Sequence, residues 1–272
     1  MVGTRRTKGS SPAPKPRPRA TGVGVVGELL LTAGVVVLLF LGWQLWWNDA
    51  ILAASQTASA HQLSAQWDES ASTSPSTPAS TPAPTPSASA EPAAPADFGD
   101  PLVAAEPDHA DVIGNLYVPR YGDSYVRTIA EGTTGDILNS TRLGLGHYDG
   151  TQMPGAVGNF AIAAHRSAYG GGMHLINEFR LGDPIVVETA DGWYTYRFTN
   201  LEYVDPTEVG VLAPVPQEPG VTATDRTITL TSCNPLYSTA ERIIAYGTFD
   251  NWRPRSAGPP PEIAAVVQKQ EG

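Results

Sequence analysis

Cys233, the sole cysteine in 272 residues, closes the run Thr227-Ile-Thr-Leu-Thr-Ser-Cys233. A lone cysteine excludes an intramolecular disulfide framework, and it excludes any zinc site built from several thiolates of this chain. It leaves thiol chemistry. A thiolate is a nucleophile, and a histidine within hydrogen-bond reach either takes the thiol proton or pairs with the thiolate as imidazolium. Five histidines are available. His61 and His109 lie before or at the edge of the strand-rich region, and His147 (GLGHYDG) and His174 (GGMHLI) fall in loops. His165 ends the apolar run Phe160-Ala-Ile-Ala-Ala-His165 and is followed by Arg166, Ser167 and a glycine run, a place where a strand end displays a side chain. Acyl transfer also needs a fixed donor for the developing oxyanion, and Arg242, nine residues after Cys233, suits that post.

The elements that must position these residues read as short strands. Candidates are 114–118, 125–129, 159–164, 184–189, 193–204, 227–232 and 242–249, separated by Gly, Pro, Asn and Asp clusters such as TADGW and MPGAVGN. That spacing predicts a mainly β domain over 108–252, a closed or nearly closed barrel, with helical turns at 138–145 and 174–180. Alternation puts Ile228, Leu230 and Ser232 on one face of the cysteine strand and Thr227, Thr229, Thr231 and Cys233 on the other. The next strand carries Arg242, Ile244 and Tyr246 on one face, so a hairpin brings Cys233 and Arg242 to the same end.

The rest of the chain is built differently. Residues 1–47 hold six Lys/Arg against Glu28 alone, whereas 48–272 hold 11 Lys/Arg against 26 Asp/Glu; the net −10 therefore divides into +5 and −15. Leu29 to Trp47 is 19 residues without a formal charge, with Trp43, Trp46 and Trp47 at its far end. About 20 such residues span a bilayer. The basic flank predicts a cytoplasmic tail (1–20), a transmembrane anchor (21–47) and an outer C-terminus. A cleaved signal peptide is the rival reading. Residues 48–107 read as an extracytoplasmic linker, in which 71–96 form a disordered Pro/Ala/Ser/Thr stalk with seven prolines. Residues 253–272 read as a disordered tail.

Three motifs carry a family resemblance. Asn159-Phe-Ala-Ile-Ala-Ala-His165-Arg166, Thr229-Leu-Thr-Ser-Cys233-Asn-Pro235 and Ser238-Thr-Ala-Glu-Arg242 resemble the His, Cys and Arg motifs of the sortases. Val118-Pro-Arg-Tyr-Gly122, Glu131-Gly-Thr133 and Gly146-His-Tyr-Asp-Gly-Thr151 are similar to the actinobacterial class E branch. The resemblance implies an eight-stranded sortase barrel with Cys233 as nucleophile, His165 as its proton partner and Arg242 as the substrate-positioning, oxyanion-stabilising cation. It implies a cysteine transpeptidase that cuts a C-terminal Leu-Ala-x-Thr-Gly or Leu-Pro-x-Thr-Gly sorting signal between Thr and Gly and passes the secreted protein, through a thioacyl intermediate, to an amine of a lipid II-like peptidoglycan precursor. Tyr125, Tyr148 and Thr231 are the candidate substrate-binding residues. One departure is Ser232, which stands where the commoner pattern has Thr. No metal, no cofactor and no nucleic acid is expected. Two other readings stand beside this one: a cysteine peptidase or different cell-wall transpeptidase, and a non-catalytic tethered peptide-binding module.

Overall fold

β-Branched and aromatic residues at a period of two, punctuated by Gly and Pro, fold here as eight strands. The computed structural model describes residues 21–43, 47–73 and 97–268. The strands are β1 (Val112–Tyr117), β2 (Val126–Glu131), β3 (Gly144–His147), β4 (Gly158–Ala164), β5 (Pro184–Glu188), β6 (Gly192–Val204), β7 (Arg226–Asn234) and β8 (Glu241–Pro254). They close into a barrel in the order β1-β2-β3-β4-β7-β8-β6-β5. The β2/β3 and β4/β7 pairs are parallel and the others antiparallel. Phe160, Ile162, Ile228, Leu230, Ile243 and Ala245 point into the core with Leu116, Ile129 and Leu145. Each large aliphatic or aromatic side chain so buried contributes about 1.5–3 kcal/mol.

The outer faces are covered as well. Helix α2 (Asn48–Thr73) lies against β2, and a short helix α4 (Pro261–Gln268) near it; Ala60, Ile263 and Val267 pack with Tyr117, Val126, Val186 and Trp193. On the opposite side of the sequence pattern, a 3-10 turn at Gly210–Leu212 covers β8, with Val211 packed on Ile244 and Tyr246.

Four expectations are corrected. Residues 48–73 are not linker but a helix of the domain, because Gln56, Ala60 and Ser64 are buried against the barrel. Residues 253–268 are not a disordered tail: β8 runs to Pro254 and α4 buries Ile263 and Val267. The stretch 138–145 is only the last residue of a one-turn helix α3 (Gly135–Leu138), a turn, and the start of β3. Residues 97–107 also belong to the domain, since Tyr194 donates to the Leu102 carbonyl at 2.6 Å and the Glu106 carboxylate accepts from Gly150 N–H. The basic tail and residues 74–96, including nearly all of the expected stalk, lie outside the described residues.

Helix α1 (Gly22–Gly42) forms a unit of its own. It is long and apolar enough to cross a membrane, about 30 Å over 21 residues, and none of its residues is buried.

Candidate active site

Strand pairing brings the three chemistry-bearing residues to one end of one face. On β4, Phe160, Ile162 and Ala164 fill the core, so Ala161, Ala163 and His165, the residue after the strand, face outward. The parallel β4/β7 ladder matches Ala161 with Thr229 and Ala163 with Thr231. The ladder ends there, and two residues past its last pair on the same faces stand His165, just beyond β4, and Cys233, near the end of β7. Across the antiparallel β7/β8 ladder Cys233 is the direct partner of Arg242, a pairing that keeps Cα atoms about 4.5–5.5 Å apart and both side chains on one face. Cys233 is a free, half-buried thiol. Arg242 Nη1 donates to the Thr239 and Glu241 carbonyls at 3.2 and 3.1 Å, and Nε and Nη2 make no protein hydrogen bond among the described residues. Ser232 donates to the Ala164 carbonyl at 2.8 Å, so the hydroxyl that Ser shares with Thr adds a side-chain bond between the thiol strand and the histidine strand.

His165 is set by neighbours that its own strand does not supply. Its Nε2 is 2.7 Å from Asn139 Oδ1, next to α3, and the Tyr169 ring lies 5.0 Å from its ring, inclined by 35°. Burial pushes its pKa down, and the Asp49 carboxylate at the start of α2 pushes back. Three of the other histidines are held elsewhere. His109 is 3.1 Å from Asp136, His147 is buried 2.7 Å from Glu131, and His174 is 3.0 Å from the Arg166 carbonyl.

Arg166, buried beside His165, bonds to Asn234 Oδ1 and, at 3.0 Å, to Asn177 Oδ1; Asn234 in turn donates to Glu241 at 2.8 Å. The residue after the histidine is thus tied to the residue after the cysteine. Tyr148 and Thr231 meet, hydroxyl to hydroxyl at 2.9 Å, on the outward face two residues before Cys233. The Tyr125 hydroxyl is instead bonded to the Gly172 carbonyl in the loop after His165, and burial pushes its pKa up to about 12. Tyr148 and Thr231 therefore share the strand face of Cys233, while Tyr125 braces a loop. Among the described residues no three His, Cys, Asp or Glu side chains gather as a metal site. Asn139 and Asp49 carried no sequence signal, because only folding brings positions 49, 139 and 165 together.

The barrel domain has known counterparts. A family model described as Sortase domain matches residues 116–250. Sortase SrtE2 of Streptomyces coelicolor is 30% identical over 232 residues, 83% of this chain and 81% of the relative. The chain belongs to the sortase family. Sortase SrtE1 of the same organism is 32% identical over 246 residues, covering 88% of this sortase but only 60% of the relative's length. Among solved structures, the SrtA sortase from Actinomyces oris superposes with a TM-score of 0.57 at 38% identity, covering 61% of this chain and 94% of that one. The relatives named SrtE1 and SrtE2 place this sortase with class E, and the eight-stranded closed barrel is the fold expected of the family.

Proposed function

We propose that this sortase is a membrane-anchored cysteine transpeptidase. Cys233 is the nucleophile, His165 its proton partner and Arg242 the cation that holds the substrate carbonyl. One observation carries the reading. Cys233 and Arg242 are direct cross-strand partners, and the β4/β7 ladder, which ends two residues before His165 and Cys233, supports a place for His165 at the same end. Burial favours the neutral imidazole at His165 in the resting site, and the attacking species is the thiolate paired with the imidazolium.

The thiolate adds to the Thr carbonyl of a Leu-Ala-x-Thr-Gly or Leu-Pro-x-Thr-Gly signal, and Arg242 stabilises the oxyanion. The Thr–Gly C–N bond breaks as His165 donates its proton to the leaving amine. A thioester to Cys233 remains. An incoming amine, expected from a peptidoglycan precursor, then adds to the thioester carbonyl, giving up a proton to His165 and releasing the thiol. Tyr148 and Thr231 form the part of the wall that contacts the signal nearest the thiol. Helix α1 anchors the chain, and the basic residues before it favour a cytoplasmic N-terminus with the barrel outside.

The test uses the full chain in detergent with both peptides and a small amine, read by mass spectrometry. The expected products are a Thr-amine adduct and a free Gly-containing fragment. Cys233→Ala should abolish both, by on the order of 10³-fold or more, and also prevent a trapped thioacyl enzyme. Transfer persisting in that variant would overturn the assignment. A product of hydrolysis alone, at saturating amine, would favour a peptidase.

A further inference from the structure

We infer that Gln56, on helix α2, is a positioning residue for His165. The inference rests on the role proposed above for that histidine. Gln56 is completely buried although its side chain is polar. Its Nε2 donates two hydrogen bonds, to the Ser140 carbonyl at 2.8 Å and to the Tyr169 carbonyl at 3.0 Å. Ser140 follows Asn139, whose Oδ1 is 2.7 Å from His165 Nε2, and Tyr169 carries the ring that lies against the imidazole. One amide therefore grips both segments that flank the histidine. The grip comes from a third element distant in sequence.

The site is shaped for that amide. A Cβ on Gly144 would lie 2.8 Å from Gln56 Nε2, and one on Gly170 would lie 2.6 Å from Gln56 Oε1. Both glycines also have left-handed backbone, φ +112° and +87°, which disfavours any side chain there. Tyr169 is left-handed too, φ +51°, without being glycine, and its carbonyl is the one Gln56 holds. Gln56 Oε1 is buried with no hydrogen-bond partner among the described residues. The amide is thus oriented by its donors: rotated by half a turn, it would set its oxygen against two carbonyl oxygens. Two helical turns earlier, on the same face of α2, Asp49 Oδ1 is 3.5 Å from Gly170 N.

Gln56 touches neither thiol nor substrate. Its effect runs through the rotamer and distance of the imidazole, where displacement on the order of 1 Å costs up to about 10²-fold in rate. The measurement is transpeptidation by the full chain in detergent across pH, with kcat and KM separated, alongside the pH dependence of Cys233 alkylation by iodoacetamide. Gln56→Ala should lower kcat by about tenfold or more while KM for the sorting peptide stays within about twofold. Gln56→Glu should lower kcat similarly at neutral pH, because a carboxylate has no hydrogen to give and faces two carbonyls. It should then regain activity as the pH falls and the introduced carboxyl protonates, a trend opposite to that of the parent.

Gly170→Ala, which displaces the amide without altering it, should reproduce the kcat loss. It serves as the second variant should a change at position 56 prevent folding. Parent-like kcat and pH profiles in whichever of these variants fold would overturn the inference. Failure of the parent to transfer acyl groups would instead strike the proposed function, and the alkylation profile, which senses His165 without any peptide, still decides the positioning role. Unaltered alkylation profiles in the folded variants would overturn it.

Discussion

The imidazole at position 165 sits between opposing influences: burial favours its neutral form, and Asp49 favours the charged one. Burial prevails, so the acid limb of kcat/KM is expected below the ordinary histidine value of about 6.5. Removing the carboxylate in Asp49→Asn takes away the influence that raises the pKa. The limb should move to still lower pH, and the plateau should fall because less imidazolium is available to pair with the thiolate. A limb that moves upward would show that Asp49 does not act on His165. Because the folded pKa is depressed, the stability linked to this group is present above the unfolded value and is lost as pH falls through the folded one. Arg242 supplies a different kind of interaction. Lysine keeps the charge but not the planar fork, so Arg242→Lys should lose on the order of 10²-fold in kcat, close to Arg242→Ala, as measured by steady-state kinetics with saturating amine. His165, Cys233 and Arg242 stood out as candidates from type and order alone. Asn139 and Asp49 were not, since an Asn beside a one-turn helix and an Asp at a helix start look like ordinary caps until the fold sets them against the imidazole.

At the scale of elements, legibility followed hydrophobic pattern. Seven of the eight strands were readable because β-branched and aromatic residues alternate along them. Strand β3 was not, because Gly144-Leu-Gly-His147 has one aliphatic side chain and pairs in a groove that only glycines permit: a Cβ on Gly146 would lie 2.3 Å from the Gly132 carbonyl oxygen. Helix α2 presents Ala53, Gln56, Thr57, Ala60 and Ser64 to the barrel, a helical stripe of small and polar residues that no hydrophobic periodicity reveals. What holds α2 is a buried polar junction. Ser64 donates to Glu188 at 2.5 Å, as do Tyr117 at 2.8 Å and Arg255 at 2.9 Å, while Arg255 also reaches Asp68 and lies over the Trp67 ring. Arg255→Ala should cost about 3–5 kcal/mol in urea unfolding, since it strands a buried carboxylate. The double variant Arg255→Met with Glu188→Gln should lose clearly less. Equal losses would mean that packing of the arginine, not its charge, matters.

For the whole molecule, the division of charge into a basic N-terminal part and an acidic remainder coincides with the division into α1 and the barrel unit. The full chain should therefore partition with membranes, and Cys233 in intact cells should react with a membrane-impermeant thiol reagent; labelling only after lysis would reverse the proposed orientation. The Pro-rich run read from composition as a spacer between membrane and domain occupies another position in the connectivity. It leaves α2 at Thr73 and returns at Asp97, so both of its ends belong to the same packed unit. A protease that cuts between 74 and 96 would leave α1 and α2 on one fragment and all eight strands on the other. The bonds from Gln56, Ser64 and Asp68 would still clasp the two pieces. Such a cut, which would shed a domain held by a simple stalk, should here yield two bands on a denaturing gel from a catalytic domain that has not left the membrane.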